Sequence, residues 1–220
     1  MKLLAIDTAT EACSAALLSG GDMVEEYELA PKRHAELILP MVDRLLARAG
    51  LGLSDLDALA FGRGPGAFTG LRIATGVAQG LAFAAGLPVI PVSTLAALAL
   101  SGGEAPGRLC AIDARMGEIY WCTYTLNADG LPSAAAPERV SGPGEVSVSG
   151  PGPWFGLGSG WASYADRLKA GLGDAYAGHR GDCYPRARHI AAIARREFEA
   201  GRSLPPEQAI PVYLRDRVTG

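Results

Sequence analysis

Apolar positions along the chain follow two different spacings in turn. Lys2–Asp7 (KLLAID) is an apolar run of strand length that ends in an aspartate. After the turn Thr8-Ala9-Thr10-Glu11-Ala12, residues 13–18 read as a return strand and residues 23–29 as a third. Ser19-Gly20-Gly21-Asp22 between the last two is a hairpin signal, so three consecutive antiparallel strands are expected. The spacing then becomes helical. Leu37, Ile38, Met41, Val42, Leu45, Leu46 and Ala49 form one stripe over His34–Ala49, and Gly50 ends it. Pro40 falls early in that helix, where a kink or a delayed start is expected.

Residues 56–92 organise the rest. They read as strand (56–61), glycine-rich turn (Gly62-Arg63-Gly64-Pro65-Gly66), helix with Thr69 as N-cap, a stop at Gly86-Leu87-Pro88, and another strand. The helix is unusual in its small residues. Gly70, Ala74, Ala78 and Ala82 recur at four-residue steps, and Gly76, Gly80 and Ala84 form a second stripe beside them. Each glycine in an exposed helix interior costs about 1 kcal/mol against alanine. Close backbone approach is the physical explanation, either to a partner helix or to this chain's own sheet. The turn has two readings as well. It can hold an anion at a helix N-terminus, although no Gly-Lys-Ser/Thr closes it as a Walker A loop would, or it is a strained connection that binds nothing.

Ser93 then caps a short helix over 94–100, and residues 101–107 (SGGEAPG) are the best domain boundary. Beyond it the opening pattern returns. RLCAID at 108–113 echoes KLLAID, and the β-rich stretch 117–126 follows as its second strand. Two diverged copies of one βββαβα module are the economical reading, divided as 1–103 and 107–220. Residues 127–153, rich in Pro, Ala, Ser and Gly, read as a loop with at most one short strand near 145–148. A strand over 154–157, helices over 161–170 and 185–200, and an extended, proline-containing tail over 205–215 complete the expected elements.

Composition narrows the function classes. The 220 residues are 49% hydrophobic and 20% charged, which excludes a disordered chain, and a net charge of −3 gives no general grip on nucleic acid. Cys13, Cys110, Cys122 and Cys183 form no CxxC pair and read as buried thiols of a reducing compartment. Asp7 interrupts the N-terminus before a signal-peptide core can form, and no unbroken apolar run is long enough to span a membrane. A cytosolic location is expected.

The candidate chemistry lies at the strand ends. In sugar kinases and actin-like ATPases, two strand-ending aspartates flank the nucleotide phosphates in a cleft between like domains. Asp7 with Thr8 and Thr10 suits the first such turn. Asp113 suits the second less well, because Arg115 and Met116 would crowd a phosphate. Each aspartate can equally cap its own turn. Gly156-Leu157-Gly158-Ser159-Gly160 before a helix has the form of an adenosine-side turn. His34, His179 and His189 are isolated, so no metal site is indicated, and His34 reads as a surface or interface residue. No Gly-x-Ser-x-Gly nucleophile elbow occurs.

Together, LLAIDTATEACSAAL, HAELILPMV, GRGPGAFTGLRIATGVAQGLA, IDARMGEIY and PVYLRD resemble the TsaB (YeaZ) family. Its members are dimerisation subunits of the bacterial machinery that makes threonylcarbamoyladenosine at position 37 of tRNA. The resemblance implies an α/β fold of two actin-like (RNase H-like, ASKHA) domains, the second reduced. It implies a non-catalytic partner of TsaD, the related subunit that transfers threonylcarbamoyl. TsaD-type chains carry a histidine-pair metal motif near the first helix, where this chain has His34 alone. The family pairs through its first two long helices, which carries the partner surface onto His34, Leu37, Ile38, Met41, Leu45, Thr69, Gly70, Arg72, Ala74 and Ala78. Implied further are the ATPase subunit TsaE, self-pairing when alone, tRNA contact only through the complex, and no cofactor of its own beyond a nucleotide at the TsaD interface. Asp7, Thr8, Thr10 and Asp113 are then candidates for a vestigial nucleotide cleft. The competing reading is a stand-alone ATP-using enzyme working through Asp7, Thr10 and Asp113.

Overall fold

The computed structural model describes residues 1–103, 105–148, 150 and 152–215. They form two α/β units: Met1–Ala97 with Pro185–Val212, and Leu98–Tyr184 with the tail from Tyr213. The first unit opens with β1 (Lys2–Asp7), β2 (Ala12–Ser19) and β3 (Asp22–Leu29), paired antiparallel as expected. Helix α1 (His34–Ala49) leads to β4 (Ala58–Gly64), and α2 (Phe68–Ala85) to β5 (Val89–Ser93). Both strands join the sheet in parallel, giving the order β3-β2-β1-β4-β5. Helix α3 (Thr94–Ala99) follows, with the Ala96 N–H donating to Ser93 Oγ at 3.1 Å, so Ser93 caps it as expected.

The apolar runs are explained by burial on both faces. In β1, Leu4 and Ile6 point into a core shared with α1 and α2, where Ile38, Leu45, Phe61 and Ala78 meet them. Leu3 and Ala5 point the other way, into a second core. A strand covered on both sides has no reason to alternate apolar with polar.

The second unit repeats this plan in reduced form. Strands β6 (Gly107–Arg115) and β7 (Glu118–Leu126) form a hairpin, followed by β8 (Pro132–Ala134) and β9 (Arg139–Ser141). Strand β10 (Trp154–Leu157), helix α4 (Ser159–Leu172) and β11 (Tyr176–Arg180) complete it. The sheet order β8-β7-β6-β10-β11 reproduces that of the first unit element for element. Among the described residues, β9 and a short 3-10 turn at Pro143–Glu145 stand where the first unit has α1. The fold is the two-domain actin-like one, its second domain reduced.

Helix α5 (Ala187–Glu199) corrects the expected division at 103/107, because it returns to the first unit. The cause is the open second face of the first sheet. Leu3, Ala5, Ala58 and Ala60 make a shallow apolar surface there, and Ala187, Ile190, Ala191 and Ala194 cover it. The Ala187 N–H donates to Ser14 Oγ at 2.9 Å, and Arg186 pairs with Glu25 at 2.5 Å.

Other expectations also change. No strand forms over 145–148; β8, β9 and the 3-10 turn supply the order in that region, of which Ser149 and Pro151 lie outside the described residues. Strand β11 went unanticipated because its sequence, YAGHR, carries no apolar run. The tail contains a 3-10 turn at Pro206–Gln208, and Leu204 bridges to Val89 on the sheet edge. Asp216 and Glu104, within the tail motif and the expected boundary, lie outside the described residues. Thr69 is not the cap of α2, which begins at Phe68 with Ala67 before it; the Ala67 N–H instead donates to Ala9 O at 2.8 Å. Helix α1 runs through Pro40 and ends on Gly50 in the left-handed conformation. Cys13, Cys110 and Cys122 are buried free thiols, and burial above all pushes Cys13 up to about 12 and Cys122 to about 11.

Substituting Ser14→Ala would leave the buried Ala187 N–H without its acceptor at the start of α5. Unfolding free energy should fall by about 1–2 kcal/mol in a urea titration. An unchanged midpoint would mean that α5 is not held by this bond.

Candidate functional site

The two long helices of the first unit each have an inner and an outer face, and the expected partner residues divide between them. Ile38, Met41 and Leu45 of α1, and Ala74 and Ala78 of α2, are at most 2% exposed and sit in the core under the helices. Gly70 faces inward too: a Cβ there would overlap the Thr8 carbonyl, so the helix start rests directly on the backbone of the β1–β2 turn. His34 is buried as well, with its Nε2 unpartnered among the described residues, which corrects its reading as a surface residue. These seven residues are buried and form no outer surface. Leu37 is half-buried against the same core; Thr69 and Arg72 face outward.

The outward face of α2 consists of other residues. Gly76 and Gly80 are exposed, and a Cβ added at either would meet nothing within 4 Å among the described residues. Phe83 beside them is 76% exposed, and Phe68, at 45%, carries the Arg72 guanidinium 3.9 Å from its ring centre. Gly76, Gly80, Phe83, Ala84 and Pro206 line a shallow groove of about 470 Å³. On α1, Ala35, Leu39, Pro40 and Ala47 are exposed. The signal for this face was legible in the second small stripe, since glycine inside an exposed helix has no packing reason within its own chain.

The turn after β1 is closed. Asp7 and Thr8 are fully buried and Thr10 is 6% exposed. Thr8 Oγ1 donates to Gly70 O at 2.6 Å, and Thr10 Oγ1 accepts the Ala12 N–H at 3.4 Å. Asp7 Oδ1 accepts the Ala9 N–H at 3.2 Å, while Oδ2 has no hydrogen-bond partner among the described residues. Gly62 leaves the space that this carboxyl fills; a Cβ there would overlap Oδ2 and approach the Ile190 methyl at 3.3 Å. Burial pushes the Asp7 carboxyl up to about 7, against the opposing pull of the Ala9 bond.

The second unit's turn is also satisfied internally. Asp113 Oδ1 accepts the Arg115 N–H at 2.8 Å, and Oδ2 accepts from Ser163 Oγ at 3.2 Å and the Arg115 guanidinium at 3.4 Å. Arg115 and Met116 both adopt positive φ, 63° and 57°, at the hairpin tip. Arg215 from the tail bonds Glu118 and reaches the Arg115 carbonyl. In the glycine-rich turn before α4, a Cβ on Gly156 would overlap the Trp161 indole, whose Nε1 donates to Leu109 O at 3.0 Å. That glycine makes room for a buried tryptophan.

In the first turn the Thr8 hydroxyl proton is spent on Gly70 O, the Thr10 hydroxyl accepts from the Ala12 N–H, and the Asp7 carboxyl is fully buried. Among the described residues no three His, Cys, Asp or Glu side chains come together as metal ligands. No helix of the described residues is long and apolar enough to cross a membrane.

A family model described as TsaD, tRNA N6-adenosine threonylcarbamoyltransferase, matches residues 26–154, a span that includes both α1 and α2. The chain is 43% identical to the tRNA threonylcarbamoyladenosine biosynthesis protein TsaB of Escherichia coli (strain K12), over 99% of this chain and 96% of that protein. It is 40% identical to the TsaB of Haemophilus influenzae, over 100% and 95% of the two chains. The solved structure of YeaZ from Pseudomonas aeruginosa superposes with a TM-score of 0.91 at 46% identity, covering 97% of this chain and 99% of that one. With full-length identity at this level and a shared fold, the chain belongs to the TsaB (YeaZ) family.

Proposed function

We propose that this chain is a non-catalytic subunit of the machinery that forms threonylcarbamoyladenosine at position 37 of tRNA. It pairs with a TsaD homologue through the outward faces of α1 and α2, and the TsaD homologue carries the transfer chemistry. The observation that carries this reading is the open glycine pair, Gly76 and Gly80, beside the exposed Phe83. The two glycines together cost about 2 kcal/mol of helix stability relative to alanine. A helix from another chain approaching at backbone distance accounts for them, because it would exclude water from Phe83 and occupy the groove.

Kinship supports the choice of partner. The TsaD family model covers the segment containing α1 and α2, so a TsaD homologue is built on a related pair of helices, and like faces can meet in a near-twofold arrangement. Self-pairing through the same face when TsaD is absent follows from the same geometry. TsaE joins the assembly, and tRNA is met through the complex, since a net charge of −3 supplies no positive field here. The work takes place in the cytosol. The chain needs no cofactor of its own; any nucleotide sits at the TsaD interface. The closed Asp7 turn gives no support to a stand-alone ATP-using enzyme acting through Asp7, Thr10 and Asp113.

Two tryptophan substitutions on the same helix separate folding from pairing. Gly76→Trp faces outward and should leave the urea midpoint intact while weakening the complex with TsaD about 100-fold or more. Threonylcarbamoyl transfer to tRNA should fall with it. Ala74→Trp faces the core and should destabilise the chain by about 3 kcal/mol or more through overpacking. A normal heterodimer with Gly76→Trp, on gel filtration and in the transfer assay, would refute the proposed surface.

A further inference from the structure

The turn at residues 7–10 lies where actin-like enzymes bind phosphate, yet its groups are turned to another use. We propose that this turn is the seat of helix α2, in which Asp7 is held as a neutral carboxylic acid whose ionisation loosens the helix's first turn. The contacts are all backbone-close. Gly70 rests on the Thr8 carbonyl, Thr8 Oγ1 donates to Gly70 O, the Ala67 N–H donates to Ala9 O, and Gly66 lies against Ala9. The same strand end is clamped from the sheet side, where Asp7 stands opposite Ser14 on β2 and fills the space beside Gly62 on β4. Ile190 of α5 closes the last side.

Among the described residues, a carboxyl in that position has one hydrogen-bond donor, the Ala9 N–H, and no counter-charge. The titratable and charged groups on the surrounding elements do not supply one. Cys13 on β2 carries a thiol that burial keeps protonated far above neutrality. On α5, His189 is pushed down to about 4, by burial first and then by Arg186 and Arg188, so it is uncharged near neutrality. Arg186 is committed to Glu25, Arg188 is exposed, and Arg72 of α2 lies over Phe68 on the outer face. Arg63 on β4 is partly exposed and is not among the causes that move the Asp7 carboxyl. An ionised Asp7 would therefore be a buried, unpaired charge, which draws water into its surroundings. Its immediate surroundings are the turn beneath α2.

The pH dependence has a definite sign. Below the ordinary aspartate range both folded and unfolded chains hold the proton. Between that range and about pH 7 only the folded chain holds it, so stability falls as pH rises through this window and levels off above it. The contribution of His189 runs the other way, being lost as pH falls from about 6.5 towards 4, and it cancels when variants at position 7 are compared.

The purified full-length chain tests this without any partner. Relative to Asp7→Asn, which keeps the shape and cannot ionise, the unfolding constant of the wild type should rise about a hundredfold between pH 5 and pH 8 in urea titrations. Hydrogen-exchange protection at Ala67 and Leu71 should drop over the same range in the wild type alone. Should Asp7→Asn not fold, the wild-type Asp7 carboxyl can be followed by carbon NMR. A neutral acid at pH 5 that titrates above pH 6 supports the seat, and a carboxylate at pH 5 overturns it. A pH-independent ratio between the two chains overturns it as well. So does magnesium–ATP raising the melting temperature of the wild type but not of Asp7→Asn, because Asp7 would then be a ligand.

Discussion

Everything in the first unit depends on how closely α2 can lie on the sheet and turn beneath it. At Gly70 the helix touches the Thr8 carbonyl, and a single methyl group there would force the two apart. Ala74, Ala78 and Ala82 continue that contact, all at most 1% exposed. Along this line the helix presents small residues to the core of Leu4, Ile6, Leu59 and Phe61, while its Leu71 is buried and its Ile73, Val77 and Leu81 are partly buried against the same core. The position of α2 then fixes the direction of its outer face, with Gly76, Gly80 and Phe83 carried as a rigid unit. The direction of that outer face is thus set by packing on the opposite side of the same helix.

Duplication explains why the two sheets share one strand order, and the differences between them follow from what each must cover. The first sheet is buried on both faces by α1 and α2 on one side and α5 on the other. The second retains α4 over Leu109, Ala111, Ile119 and Trp121, and has a 3-10 turn in place of an α1 counterpart. Its core relies on large aromatic residues instead. Trp161 is fully buried, stacked 5.2 Å from His179, and it occupies the space that Gly156 leaves open. A turn with the glycines of a nucleotide-binding loop has become the socket of a tryptophan.

Much of this was legible in the sequence. The helical stripe of α1 folds as read; the strand-turn-helix of β4 and α2 and the second Ala-Ile-Asp segment form with shifted bounds, β4 running on to Gly64 through part of the expected turn, α2 starting at Phe68, and β6 continuing past Asp113 to Arg115. The return of α5 to the first unit was not legible, because its alanine-rich face would suit either sheet and nothing local says which one lacks a cover. Strand β11 was missed for a related reason: an edge strand only half-buried needs no apolar run. The residues expected at the partner surface divide between the two sides of these helices, most of them facing inward. Small residues at four-residue steps mark close approach without saying to what, and α2 carries two such stripes, one for its own sheet and one facing out.

That pairing of stripes gives a general way to read such helices. Where two small-residue stripes share a helix, alanine suits the side that packs on its own sheet, since it combines helix propensity with a short side chain. Glycine is favoured inward only where backbone meets backbone, as at Gly70 over Thr8. On the outward side glycine weakens the helix with no return inside the chain, so its presence at Gly76 and Gly80 points beyond the chain. The turn at Asp7 obeys the same logic in polar terms. An aspartate that faces a ligand needs access and a counter-charge; among the described residues this one has neither, and what surrounds it is the underside of the helix that presents the outward glycines.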